Sequence, residues 1–205
     1  MFSQVTADLP QLFFEHLTMV CISMFLAILI GVPGGVMLTR HAGARRWALG
    51  LANAMQTVPS LALFGFLIPI PLIGGIGQRT AIVALVLYAL LPILRNTFVG
   101  IASVDAAVCE SAVAMGMTEW QLLREVQLPL AARTILAGVR VATVMTIGTA
   151  TIAAAIGGGG LGVFIFRGLA SVDSAMILAG AIPAAVMALL ADWGLGWLER
   201  RLSAA

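Results

Sequence analysis

Lysine is absent from all 205 residues, and the eleven basic side chains are all arginine. That removes a Walker A lysine, a Schiff-base lysine and a lysine general base, so the chain cannot itself be a P-loop ATPase. Charge of either sign is scarce, at 10% of residues against about 25% in an ordinary soluble domain. Only two cysteines occur, Cys21 in an apolar run and Cys109 in a polar stretch, which argues against both a disulfide and a metal site. There is one tyrosine, Tyr88, and the four tryptophans lie outside the middles of the apolar runs, so no aromatic cage for a quaternary ammonium group is built within them. The chain has no GxSxG and no HExxH, and His41 stands apart from any serine, so a hydrolase centre has no residues to form on.

What is present is apolar: 61% of residues are hydrophobic, and the mean hydropathy is +1.07. The composition is that of an all-α integral membrane protein, with lipid as its surroundings and no nucleic-acid partner. Five spans are expected, at roughly 17–38, 47–70, 80–101, 134–156 and 174–198, in one domain over 1–205. The N-terminal stretch before His16 has no basic residue and the run after it is long, which predicts a retained helix. In a five-span alternation Arg40, Arg45, Arg46, Arg95, Arg124, Arg133, Arg140, Arg200 and Arg201 share one side, with Arg79 and Arg167 on the other. The positive-inside rule then puts the C-terminus in the cytoplasm and the N-terminus outside. Trp47, Trp193 and Trp197 fall at the inner interface.

The stretch 105–129, DAAVCESAVAMGMTEWQLLREVQLP, is the longest amphipathic interruption. Asp105 is placed as an N-cap, Gly116 as a left-handed terminator, and Thr118 with Gln121 as a capping box, while Pro129 reads as a stop. Two helices of about ten residues, each roughly 15 Å, are too short to cross a bilayer and predict a polar-tipped knob on the cytoplasmic side.

This pattern resembles the "EAA" coupling loop of ABC importer permeases: Glu110, Ser111, Ala112, then Gly116, then Val126, Leu128 and Pro129 at the family's spacing. Ser111 replaces the first alanine and Val126 the isoleucine, both small or isosteric changes. The resemblance implies the type I importer permease fold, with Glu110, Ser111, Ala112, Gly116, Leu128 and Pro129 docking on a cytoplasmic ABC ATPase. It also implies a second permease copy or paralogue, an extracytoplasmic substrate-binding protein, and a bacterial inner-membrane location. ATP and Mg would be bound by the ATPase, leaving no cofactor and no catalytic residue in this chain. From about Gly31 to Gly168, runs such as QTVPSLALFGFLIPI and TIGTATIAAAIGGGGLG look like the permeases of osmoprotectant importers, which move glycine betaine, choline or carnitine. Methionine or other amino-acid importers are the alternative, and a passive channel or ion-driven carrier is the reading from another class. The latter needs an ionisable relay at mid-span, which the sequence does not offer.

Within the spans, Asn53, Gln56, Thr57 and Ser60 flank Pro59, and polar groups at that depth must face a bundle interior or a cavity. Together with Thr146 and Thr149 they are the candidate substrate pathway, with helix–helix adhesion the competing reading. The row Gly138, Ala142, Thr146, Ala150, Ala154 at intervals of four favours tight packing. Gly157, Gly159 and Gly162 spell GxGxxG but follow no strand, so they read as an external turn and not as a dinucleotide site. Glu15 and His16 read as interfacial, and Arg95 as reaching the inner surface.

Overall fold

A computed structural model describes residues 2–71 and 73–202, and Leu72 of the turn after the second expected span lies outside them. Every regular element among the described residues is helical. In order they are α1 (Phe2–Arg40), α2 (Ala42–Thr57), α3 (Ser60–Leu67), α4 (Gln78–Ala102), α5 (Ala106–Ala114) and α6 (Glu119–Gln121). A π-helical segment (Leu122–Gln127) leads into α7 (Leu128–Ala150) and a 3₁₀ turn (Thr151–Ile156), followed by α8 (Gly162–Ser171) and α9 (Ser174–Leu202).

Helix α4 is the axis, packing on α1, α2, α3 and α7, while α7 also carries α9 and α9 carries α8. The core uses few large side chains. Met19, Phe64, Leu85, Ile93 and Ile147 are interleaved with fully buried Ala27, Ala81, Ala84, Ala142 and Ala150. Small residues let backbones approach where lipid supplies no hydrophobic drive between helices. At Gly138 a Cβ would lie 2.8 Å from the Pro92 carbonyl, so α7 meets α4 closely at this point. The outer surface is apolar, with Phe25, Leu29, Phe66, Leu189 and Leu190 all exposed. Four helical stretches are long and apolar enough to cross a membrane: Ala7–Arg40, Gln78–Ala102, Glu119–Ile156 and Ser174–Leu202.

The expected span over 47–70 is not one of them. It breaks at Val58, whose extended backbone (φ −71°, ψ 127°) follows from the proline ring at position 59, which disfavours helical geometry in the preceding residue. The break is held from α4: the Tyr88 hydroxyl donates to the Val58 carbonyl, and the Gln56 amide donates to the Tyr88 carbonyl at 3.1 Å. Two further expectations are corrected. Pro129 does not stop a helix but sits in the first turn of α7, and the knob runs unbroken into the fourth span. Here the Leu128 N–H bonds the Leu123 carbonyl five residues back, and this wider π turn accommodates a ring that would clash in an α-helix. The glycine-rich loop likewise contains a helix, α8, running to Ser171.

Candidate functional site

The knob is built by local hydrogen bonds that its residue types dictate. The Asp105 carboxylate accepts the Ala107 N–H at 2.9 Å and starts α5. At the far end the Gly116 N–H bonds the Val113 carbonyl and the Met117 N–H bonds the Ala112 carbonyl, a complete Schellman motif. That motif requires a left-handed residue, and Gly116 supplies it at φ 87°. Thr118 and Gln121 form the reciprocal capping box, with the Thr118 N–H donating to Gln121 Oε1 at 2.8 Å.

These turns fix which side chains face out. Glu110 and Ser111 are exposed, Ala112 is buried at 2%, and the Ser111 hydroxyl donates back to the Ala107 carbonyl at 2.7 Å. Leu128 packs against the buried cluster of Ile101, Leu123 and Ala131, which joins the knob to α4 and α7, while Pro129 is exposed. Trp120 is 63% exposed, while Leu123, in the π segment, is buried at 5%. The knob is tied to α1 through Arg40, which pairs with Glu119 at 3.1 Å. Arg45 stacks on the Phe98 ring at 5.0 Å. Arg40, Arg45 and the knob therefore occupy one end of the bundle.

The six candidate pathway residues do not converge. Asn53 and Thr57 are exposed on α2, with the Thr57 hydroxyl donating to the Ala54 carbonyl, and Ser60 is half-buried at the start of α3. Gln56 is engaged with Tyr88. Thr146 is buried in the core, its hydroxyl 3.5 Å from Met24 Sδ, and Thr149 is half-buried on α7.

Glu15 and His16, expected at the interface, are built into the bundle instead, and a second polar cluster at Arg140 had no counterpart in the sequence reading. Glu15 and His16 are packed against the glycine loop. The Glu15 carboxylate accepts the Gly160 N–H at 3.1 Å and the Gln11 amide at 2.9 Å. His16 is fully buried, with Nε2 3.2 Å from the Ile147 carbonyl. That carbonyl is available because α7 tightens to 3₁₀ geometry, where the Thr151 N–H bonds Gly148 O and not Ile147 O. Adjacent residues on a helix diverge by about 100°, so Glu15 bonds the loop backbone while His16 packs beside Gly160 and reaches on to the Ile147 carbonyl. Midway along α7, Arg140 grips Asp192 with two bonds of 2.6 and 2.7 Å and Glu199 with a third at 3.3 Å. This clamp fastens α9 to α7, and no sequence signal paired residues 52 apart.

The helical bundle thus carries, at one end, a knob capped at both of its turns with Glu110 facing outward. The family model for the binding-protein-dependent transport system inner membrane component matches residues 14–204. The chain belongs to that family.

Among relatives of this permease, the carnitine transport permease protein OpuCD of Listeria monocytogenes is 48% identical over 192 residues, covering 93% of this chain and 85% of that one. The glycine betaine/carnitine/choline transport system permease protein OpuCD of Bacillus subtilis is 45% identical over 203 residues, 98% and 87% of the two chains. The osmoprotectant import permease protein OsmW of Salmonella typhimurium is 45% identical over 193 residues, 93% and 90% of the two. The permease superposes on a chain of the inward-facing MetNI methionine ABC transporter with a TM-score of 0.89, covering 98% and 99% at 23% identity. An amino acid ABC transporter solved with histidines gives a TM-score of 0.80, covering 98% and 96% at 18% identity. At those identities the likeness carries the fold alone.

Proposed function

We propose that this permease imports an osmoprotectant such as glycine betaine, choline or carnitine, by alternating access driven by ATP on a separate subunit. The observation that carries the solute class is the 45–48% identity, over more than nine-tenths of the chain, to permeases named for these solutes. Residues Glu110, Ser111, Ala112, Gly116, Leu128 and Pro129 form the lever for a cytoplasmic ABC ATPase, which binds ATP and Mg. The rigidity of the doubly capped knob supports that role, because a floppy segment would absorb the motion it must transmit.

A second permease copy or paralogue completes the pathway, and an extracytoplasmic binding protein delivers the solute to it. The exposed Asn53 and Thr57 support this arrangement, since uncovered polar side chains on a membrane helix call for a partner or a water-filled cavity. Asn53, Gln56, Thr57, Ser60 and Thr149 would line that cavity, with Thr146 behind them in the core. The arginine-rich end faces the cytoplasm, with the N-terminus outside. Closing the ATPases around ATP must favour one state by about 5.5 kcal/mol to swing a 99:1 population to its reverse.

The test is uptake by proteoliposomes carrying the permease with its ATPase and binding protein, supplied with labelled betaine, choline, carnitine or methionine. ATP-dependent accumulation of one of the first three is the expected result. Accumulation of methionine alone would replace the solute class, and accumulation without ATP would replace the mechanism.

A further inference from the structure

We propose that the cleft between α7 and α9 is where the solute rests inside the permease, its quaternary ammonium against Asp192 and Glu199 and, in betaine and carnitine, its carboxylate on Arg140. The inference rests on the osmoprotectant reading above and names the residues that meet that solute. The cleft has a volume of about 450 Å³, with Arg140, Asp192 and Glu199 as its polar side and Ala137, Val141, Val144 and Met145 as its wall. One guanidinium against two carboxylates leaves that lining with one negative charge in excess. Arg133, exposed and outside the lining, approaches Glu199 only to 3.7 Å. The fit of the cluster to α9 is close, since a Cβ on Gly196 would lie 3.0 Å from Arg140 Cζ.

The cleft opens on the same side of the bundle as the polar residues of α2. On α7, Thr146 and Ile147 meet Met24 and His16 of α1, whereas Val141, about 140° around the helix from Thr146, is exposed. On α2, Ala44 and Ala48 share a groove with Gly34 and Met37 of α1, whereas Asn53 and Thr57, about 140° and 180° around from Ala48, are exposed. Both sets therefore face away from α1, toward the cavity that a second permease copy closes.

Depth and chemistry select the occupant. Arg140 stands twelve residues, roughly 18 Å, beyond the start of α7, and charged groups so far along a membrane helix call for a water-filled cavity or a protein interior. A phosphatidylcholine headgroup carries the same quaternary ammonium but stays at the bilayer surface, so a free solute is the occupant that reaches this depth. A quaternary ammonium has no N–H to donate; it requires negative charge and apolar contact for its methyl groups, and the cleft supplies both. The carboxylate of betaine or carnitine can replace Asp192 on Arg140 in the same two-bond geometry. Asp192 is then free for the ammonium of the same molecule, and one ion pair is exchanged for two.

The experiment uses proteoliposomes carrying the permease with its ATPase, supplied with saturating binding protein loaded with labelled choline or labelled glycine betaine. Capture is then no longer limiting, and the ratio of the two maximal uptake rates reads the permease. Arg140→Gln is expected to raise the choline-to-betaine ratio roughly ten-fold, because only betaine brings a carboxylate. Asp192→Asn is expected to lower it by a similar factor, because choline loses its counter-charge while Arg140 remains for betaine. Val141→Phe, at an exposed position of the wall, is expected to slow both solutes while ATP hydrolysis persists. Each ratio is taken within one sample, so a variant that assembles poorly still reports, and a clamp without a solute role slows both solutes alike. An unchanged ratio in Arg140→Gln and Asp192→Asn overturns the site and leaves the solute class standing. A wild type that moves neither solute nor carnitine overturns the class, and the site with it.

Discussion

The Glu15 carboxylate accepts the backbone N–H of Gly160 at 3.1 Å, closing a contact between residues 145 apart in sequence. It pins the glycine loop to the first helix at the end of the bundle opposite the knob. On the loop side the fit needs glycine: Gly159 and Gly160 have φ of 79° and 76°, and a Cβ on Gly159 would lie 2.5 Å from Glu15 Oε2. Gly159→Ala should therefore lower thermal stability by about 1–2 kcal/mol from the backbone alone. Glu15→Ala should cost a similar amount, and Glu15→Gln, whose amide oxygen still accepts, should cost less. Melting followed by size-exclusion fluorescence reads all three.

His16 makes a related prediction. Because Nε2 faces a carbonyl it carries the proton, which leaves Nδ1 as a buried atom with no partner among the described residues. His16→Ala should cost about 2–4 kcal/mol, combining a cavity with an unpaired Ile147 carbonyl. His16→Gln, which can still donate to that carbonyl, should recover part of the loss in the same melting assay.

Arg140 and Asp192 should behave as a unit. Arg140→Gln strands Asp192 on the face of α9 that meets α7 and leaves Glu199 with Arg133 alone, 3.7 Å away. The variant should melt earlier than wild type, and R140Q/D192N should melt later than R140Q. An additive double variant would mean that the pair does not couple α7 to α9.

Tyr88→Phe removes the hydroxyl that holds the broken segment at Val58. The loss should be about 0.5–1.5 kcal/mol, the net worth of one hydrogen bond. Cysteine accessibility at the half-buried Met55→Cys should rise in the Tyr88→Phe background, because one of the two hydrogen bonds that join this segment to Tyr88 is then lost.

Features with a short-range cause were legible in the sequence. Asp105, Gly116 and the Thr118–Gln121 pair each act within a few residues, so their types and spacing specify their geometry. The break at Pro59 was signalled by the proline and its polar neighbours, but uninterrupted hydropathy on both sides favoured a continuous span. Pro129 misled because its effect depends on the hydrogen-bond register of the preceding turn, which the residue itself does not encode. Helix α8 was hidden by the glycines before it, although GVFIFRGLAS carries the apolar spacing of a helix. Glu15–Gly160 and Arg140–Asp192 had no local signature, since only the packing of α1, α7 and α9 brings them together.

The most direct test of the knob as the lever compares ATP hydrolysis and solute uptake in one set of proteoliposomes carrying wild type, Glu110→Arg or Gly116→Pro. Glu110 is exposed, so Glu110→Arg should reach the membrane in normal amounts, whereas Gly116→Pro, which removes the positive φ and the N–H of the Schellman turn, should also deform the knob itself. The account predicts that ATP hydrolysis persists while betaine, choline or carnitine uptake falls at least ten-fold. Uptake at the wild-type rate in both variants would contradict it.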